Sequence, residues 1–418
     1  MLKKLLPIIS WLPEYKSANF WADLQAGLTV GVMLIPQGMA YAMIAGLPIE
    51  FGLYASLIPQ IIYTITGTSR QLSVGPVAMD SLLVAAGLSV IATIGSSSYI
   101  NMAILLSLIM GCILLILGIM RAGFIVKILI KPVISGFTSA AALIISANQI
   151  ANLTGIPIER DTKIQNIVSE GLNTINQFNQ PTVLIGILTI IIISMISKVK
   201  SKIKLPSALI AVLLGIICVK WFRLNWEGVK IVGDIPRGLP SFGVPNFDST
   251  IKLLPIAFTL ALIAFMEAYS VSKALSEKHG YKIDPNQELR ALGVANIIGS
   301  FFQSYPTTGG FSRTAVNDQA GASTPLSSLF ASSLIALTLL FFTPLFYHLP
   351  LAVLAAIIIS AVMSFFDPKL PIKLWKNNRI ESLLLIATFC VTLFMGMVEG
   401  IVLGILLSFV HIIYKRKR

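Results

Sequence analysis

Ser73-Val74-Gly75-Pro76-Val77-Ala78 and Gly309-Gly310-Phe311-Ser312-Arg313-Thr314 interrupt a sequence that is apolar on either side of each. Both breaks are followed by residues able to start a helix. Inside a bilayer, non-helical backbone is tolerated only where it is buried in protein or lines a cavity, because lipid satisfies no N–H or C=O group. The freed N–H groups and the positive end of the helix dipole then suit an anion. Two interrupted segments in corresponding halves of a chain are the pattern of a carrier whose substrate binds between them. The breaks predict a membrane protein that carries an anion.

Composition fits that frame. The 418 residues are 56% hydrophobic and only 12% charged, with mean hydropathy +0.85, which excludes an ordinary soluble globular domain. At roughly 20 residues per span there is room for a dozen or more helices. Apolar runs fall at about 23–45, 49–66, 73–93, 100–120, 132–152, 182–198, 205–222, 251–275, 287–302, 311–321, 324–346, 350–366, 379–395 and 398–414. The third and tenth are the broken ones, an odd offset of seven, so the two halves enter the membrane in opposite orientations. The expected fold is an all-α membrane protein of about fourteen transmembrane segments in a seven-plus-seven inverted repeat.

The net charge of +13 would suggest nucleic acid in a soluble protein. Here the basic residues gather at the ends of runs, so the positive-inside rule accounts for them and no nucleic acid is expected. Lys3, Lys4 and Lys16 precede the first run, and Arg121, Lys127 and Lys131 follow the fourth. Lys198, Lys200, Lys202 and Lys204 follow the sixth, and Lys278 and Lys282 the eighth. Lys369, Lys373, Lys376 and Arg379 follow the twelfth, and Lys415, Arg416, Lys417 and Arg418 end the sequence. All fall on one side, which places both termini in the cytoplasm; Lys220 to Lys252 is a weak exception on the outside. Met1 to Lys16 contains prolines and no small-residue cleavage pattern, so no cleaved signal peptide is expected. Cys112, Cys218 and Cys390 have no metal or redox spacing and read as small core residues. His279, His348 and His411 form no ligand set, so neither a metal nor a cofactor is expected. Asn152-Leu153-Thr154 is a chance match to a glycosylation pattern.

Ionisable groups inside spans default to a functional hypothesis. Glu267 lies near the middle of the eighth run. Away from water a carboxylate favours its neutral form, so Glu267 is either a proton or cation carrier or one half of a structural ion pair. Arg313 opens the tenth run beside Ser312. Its several donors suit a tetrahedral oxyanion, or it pairs with Glu267 or a headgroup. Asp80 lies one turn beyond Pro76, where an acid repels an anion unless protonated or paired. Glu399 reads as interfacial. Gln37 follows Pro36 where the first helix is loosened, with Tyr41 on the same face, and both are expected to line the site. Gly27 and Gly31 have the spacing of close helix packing.

With these residues in hand, the chain resembles the SulP family of sulfate permeases, whose animal relatives include prestin and pendrin. The matching stretches run nearly the whole length: Ile35-Pro36-Gln37-Gly38-Met39-Ala40-Tyr41, Gly46 to Ser56, Gly67 to Pro76, Asn286-Gln287-Glu288-Leu289 with Gly293-Val294-Ala295-Asn296, and Thr307 to Asn317. The resemblance implies a core domain (about 20–120 and 251–346) moving against a gate domain (about 121–222 and 350–414) in an elevator-like cycle. It implies two half-helices, segments three and ten, meeting at the bilayer midplane. The anion is then expected near Gln37, Tyr41, Gly75, Val77, Ala78, Phe311, Ser312 and Arg313. Glu267 matches the acid linked to proton coupling, and Val271, one turn on, argues against a sodium site. The family carries a cytoplasmic STAS domain after its last span; this sequence stops four residues beyond Tyr414, so none is expected here.

The expected function is proton-coupled sulfate uptake across a bacterial cytoplasmic membrane. A bicarbonate or C4-dicarboxylate carrier is the first alternative, and an anion channel or non-transporting sensor the second. Ser312-Arg313 disfavours a nucleobase carrier, and no nucleophile–base constellation suggests an enzyme. Expected partners are a small anion such as sulfate, protons, lipid and a second copy in a homodimer.

Overall fold

A computed structural model describes residues 6–124, 131–158, 161, 163–198, 207–363, 366–396, 399–400, 402–404 and 406–408. Most of the fourteenth apolar run lies outside them, as do Lys3, Lys4, Lys127, Lys200, Lys202, Lys204 and the four basic residues at 415–418. In chain order the helices begin with α1 (Ile8–Trp11), α2 (Ser17–Ile44), α3 (Glu50–Ala55), α4 (Ile58–Thr66), α5 (Ala78–Ser89) and α6 (Ser97–Ile119). Then come α7 (Lys131–Asn148), α8 (Ile150–Thr154), α9 (Ile164–Thr174), α10 (Gln180–Lys198) and α11 (Ser207–Phe222). The rest are α12 (Thr250–Lys278), α13 (Pro285–Ser300), α14 (Phe311–Gln319), α15 (Leu326–Leu337), α16 (Leu351–Val362), α17 (Leu370–Asn377) and α18 (Arg379–Phe394). Two short strands, β1 (Val74–Gly75) and β2 (Thr308–Gly309), precede α5 and α14.

Among the described residues five stretches are helical, long and apolar enough to cross a membrane: α2, α6, Pro132–Thr154, α12 and Leu326–Phe346. α5, α11 and α16 are apolar but shorter, as is Gln180–Ile196. The second expected run divides into α3 and α4, where Pro59, lacking an N–H, starts a new helix. Amphipathic α9 and α17 fall between the expected runs. The cysteines correct the sequence reading: Cys112 and Cys390 are exposed and Cys218 is half-buried. In a bilayer the outward face is apolar too, so an apolar run does not put a thiol inside.

The chain divides into two compact units, Met1–Val126 with Ile235–Pro344, and Lys127–Asp234 with Leu345–Arg418. In the first, α13 packs on α6, α2 on α15, and α12 on both α6 and α5. Lipid tails are as apolar as leucine, so helices associate through close contact rather than hydrophobic drive. Small residues supply it. A Cβ at Gly293 would lie 2.7 Å from the Leu115 nitrogen, and one at Gly31 3.2 Å from Ala331 Cα of α15. Two buried carboxylates stitch this unit together. Asp23 accepts from the backbone N–H of Ser323 (2.7 Å) and Thr324 (2.9 Å). Glu288 accepts from the Tyr63 hydroxyl (2.6 Å) and from the N–H (2.7 Å) and hydroxyl (2.6 Å) of Thr68.

In the second unit, α7 packs on α18 and α10 on α16. The segment before α12 threads back along the start of α16. Val232 N–H donates to the Leu349 carbonyl (2.8 Å), and Leu351 N–H to that of Lys230 (3.0 Å).

Candidate functional site

The two sequence breaks meet. β1 and β2 pair antiparallel, Val74 opposite Gly309 and Gly75 opposite Thr308. The ribbon is extended by Gly310 N–H donating to the Ser73 carbonyl (3.1 Å) and Ser73 N–H donating to Thr314 Oγ1 (3.1 Å). Backbone groups that lipid would leave unsatisfied are thus used on each other.

Side chains from neighbouring helices hold the ribbon in place. Asn296 of α13 clamps the peptide of Thr307: its Oδ1 accepts from the N–H and its Nδ2 donates to the carbonyl, both at 2.9 Å. Thr308 Oγ1 donates to the Ala264 carbonyl of α12 (2.6 Å), one turn before Glu267. Ser81 of α5 and the Tyr305 hydroxyl lie 3.1 Å apart.

Arg313 is only 2% exposed, although it sits in the first turn of α14. Its Nη1 donates to the Pro76 carbonyl (2.7 Å), reaching from one break to the other. Gly310 makes room for the guanidinium: a Cβ there would lie 2.9 Å from Cζ, whereas one at Gly75 would meet Nη2 at an ordinary 3.4 Å. Nε and Nη2 are buried with no hydrogen-bond partner among the described residues. A buried cation with two unused donors is costly unless it serves something. Tyr41, Glu267 and Tyr305 lie within reach of its charge.

The other expected residues lie in the same first unit. Gln37 and Tyr41 are buried on α2 just beyond Pro36 within that helix, and Gln37 Oε1 has no partner among the described residues. Val77 precedes α5 and Ala78 begins it; Phe311 and Ser312 begin α14. Neither helix start carries a side-chain cap, so its first N–H groups have no side-chain acceptor. Glu267 is buried with Oε2 unpartnered among the described residues, and Asp80 is buried with both oxygens likewise unpartnered. Phe311, 40% exposed, and Ser312 are the open members of the set. Glu399 is exposed and belongs to the second unit. The sequence reading assigns no role to Asn296, Thr308, Thr314, Tyr305 or Gly310. Asn296, an amide in the apolar second half of α13, is the one that polarity alone marks out.

A family model described as the sulfate permease family matches residues 20–388. The chain belongs to that family. It is an integral, multi-pass membrane protein, as the apolar helices also require. It is 40% identical to "Sulfate transporter 4.1, chloroplastic" of Arabidopsis thaliana over 98% of this chain and 61% of that protein. It is 34% identical to the "Sodium-independent sulfate anion transporter" of Bos taurus, over 100% of this chain and 73% of that one. Among solved structures it is similar to the murine Solute Carrier 26 family member A9 anion transporter in the inward-facing state. There the TM-score is 0.92 at 26% identity, covering 99% of this chain and 72% of the other. The chain spans about three fifths of the length of the Arabidopsis relatives.

Proposed function

We propose that the chain is the transport part of a proton-coupled sulfate carrier working by alternating access. The observation that carries this reading is Arg313, a buried guanidinium with Nε and Nη2 unused where two helix starts converge. Sulfate would take those donors together with N–H groups of Ala78, Phe311 and Ser312, while Gln37 and Tyr41 line the remaining side. The sulfate carriers among its relatives support the choice of anion.

Importing a dianion against an inside-negative potential costs about 4.6 kcal/mol per 100 mV. Coupled protons offset that, and Glu267 is the proton carrier in this reading. Ala264, one turn earlier, is tied to β2 through Thr308, so the acid and the anion site belong to one body. All the named residues lie in the first unit. In an elevator-type cycle that unit is the core that carries anion and proton, and the second unit is the gate. The breaks before α5 and α14 would then be half-helices of the third and tenth spans in an inverted repeat, with both termini cytoplasmic and a second copy as partner.

The test is uptake of labelled sulfate into proteoliposomes, with and without an inward proton gradient, while bicarbonate, fumarate and succinate compete. Accumulation that needs the gradient is expected. Glu267→Gln should keep sulfate exchange and lose gradient-driven accumulation; unchanged accumulation would remove Glu267 from the cycle. Movement of bicarbonate or a dicarboxylate in place of sulfate would overturn the substrate.

A further inference from the structure

Four carboxylates stand out as buried in the first unit, and they divide into two kinds. Asp23 and Glu288 are saturated with N–H and O–H donors. Asp80 and Glu267 are not: both Asp80 oxygens and Glu267 Oε2 lack a partner among the described residues. Their helices, α5 and α12, pack on each other, and the two acids lie within electrostatic reach.

The surroundings leave little else to balance them. From α14 comes Arg313, and from the segment before β2 comes Tyr305. From α2 comes Tyr41, with Asp23 committed to residues 323–324. α6 presents Tyr99, which donates to the Ala45 carbonyl (2.6 Å), and the exposed Cys112. The remaining titratable groups of α12 (Lys252, Tyr269, Lys273, Glu277 and Lys278) are exposed or half-buried.

The charge count then decides. With both acids ionised, Asp80, Glu267 and Arg313 sum to one negative charge. Adding sulfate to that state would leave three uncompensated negative charges in a buried site, a prohibitive cost. With both acids neutral, Arg313 and sulfate again sum to one negative charge, so loaded and unloaded states match. If Asp80 stayed ionised throughout, the loaded site would carry one charge more.

We propose that Asp80 is a second proton carrier paired with Glu267, so that two protons accompany each sulfate and the cycle moves no net charge. This deepens, and rests on, the sulfate-carrier reading above.

The experiment measures sulfate accumulation in proteoliposomes against an imposed proton gradient at clamped membrane potential. At zero potential, a tenfold proton gradient should drive about a hundredfold sulfate gradient in the wild type, and about tenfold in Asp80→Asn. Wild-type accumulation should ignore membrane potential; in Asp80→Asn an inside-negative potential should lower it. Asp80→Glu should restore the wild-type exponent. Equal exponents in the wild type and Asp80→Asn would overturn the proposal. So would net inward negative charge in the wild type.

If the wild type moves no sulfate, the transport reading fails by itself, and infrared spectroscopy still decides the pair. In purified wild type the carbonyl stretch of neutral carboxylic acids should grow as the pH is lowered, and Asp80→Asn should lose part of that growth. A spectrum unchanged by Asp80→Asn would overturn the pair whatever the substrate.

Discussion

Gly310→Ala tests the Arg313 cradle with a single methyl group. Gly310 has φ −85° and ψ 127°, extended values that alanine adopts freely, so the backbone is not strained. The new Cβ would lie 2.9 Å from Arg313 Cζ and Nη2 and 3.2 Å from Nη1. Unstrained contacts sit at about 3.5–4.0 Å, so the guanidinium must retreat by roughly half an ångström to one ångström. Its bond to the Pro76 carbonyl, now 2.7 Å, stretches beyond useful length, and Nε and Nη2 turn away from the helix starts. Losing one hydrogen bond to a charged group costs about 1.5–3 kcal/mol. In sulfate affinity that is roughly tenfold to 150-fold. The assay is equilibrium sulfate binding to purified protein, with thermal unfolding followed in parallel to confirm a folded variant. A folded Gly310→Ala protein that binds sulfate within twofold of wild type would refute both the cradle and direct contact by Arg313.

Arg313→Lys keeps the charge but not the fork; sulfate affinity should fall at least tenfold, and wild-type affinity in a binding titration would show that charge alone suffices. Asn296→Ala removes both bonds to the Thr307 peptide and leaves its buried N–H and C=O unpaired, at about 1–3 kcal/mol for each group. A fall of several degrees in the unfolding temperature is expected, and an unchanged transition would mean that the ribbon holds without the clamp.

How much of this was legible in the sequence depends on the kind of signal. The broken segments are visible because glycine, proline and serine interrupt long apolar runs, and Gly310 and Arg313 fall inside one of those interruptions. Glu267 and Asp80 stand out because a charge is conspicuous among leucines and alanines. The ribbon is not visible, because β1 and β2 are two residues each and pair across the chain. The Asn296 clamp is hidden for a related reason: its partner Thr307 lies eleven positions away, and only the turn between them brings the amide to that peptide. α9 and α17 escape because their apolar residues recur at helical intervals without forming a run. The cysteines mislead because burial in lipid and burial in protein select the same neighbours.

The ribbon also sets a schedule for making the protein. Gly75 and its partner Thr308 are separated by more than 230 residues of chain. At about 5–20 residues per second, a ribosome needs roughly ten to fifty seconds to supply β2 after β1 has emerged. During that interval the peptide groups of Ser73 to Gly75 are without the partners that later satisfy them. If the break is a half-helix start within the bilayer, as proposed above, the nascent first half must be sheltered by the insertion machinery or kept from settling fully into lipid. The proposed anion site closes only when synthesis has passed residue 314.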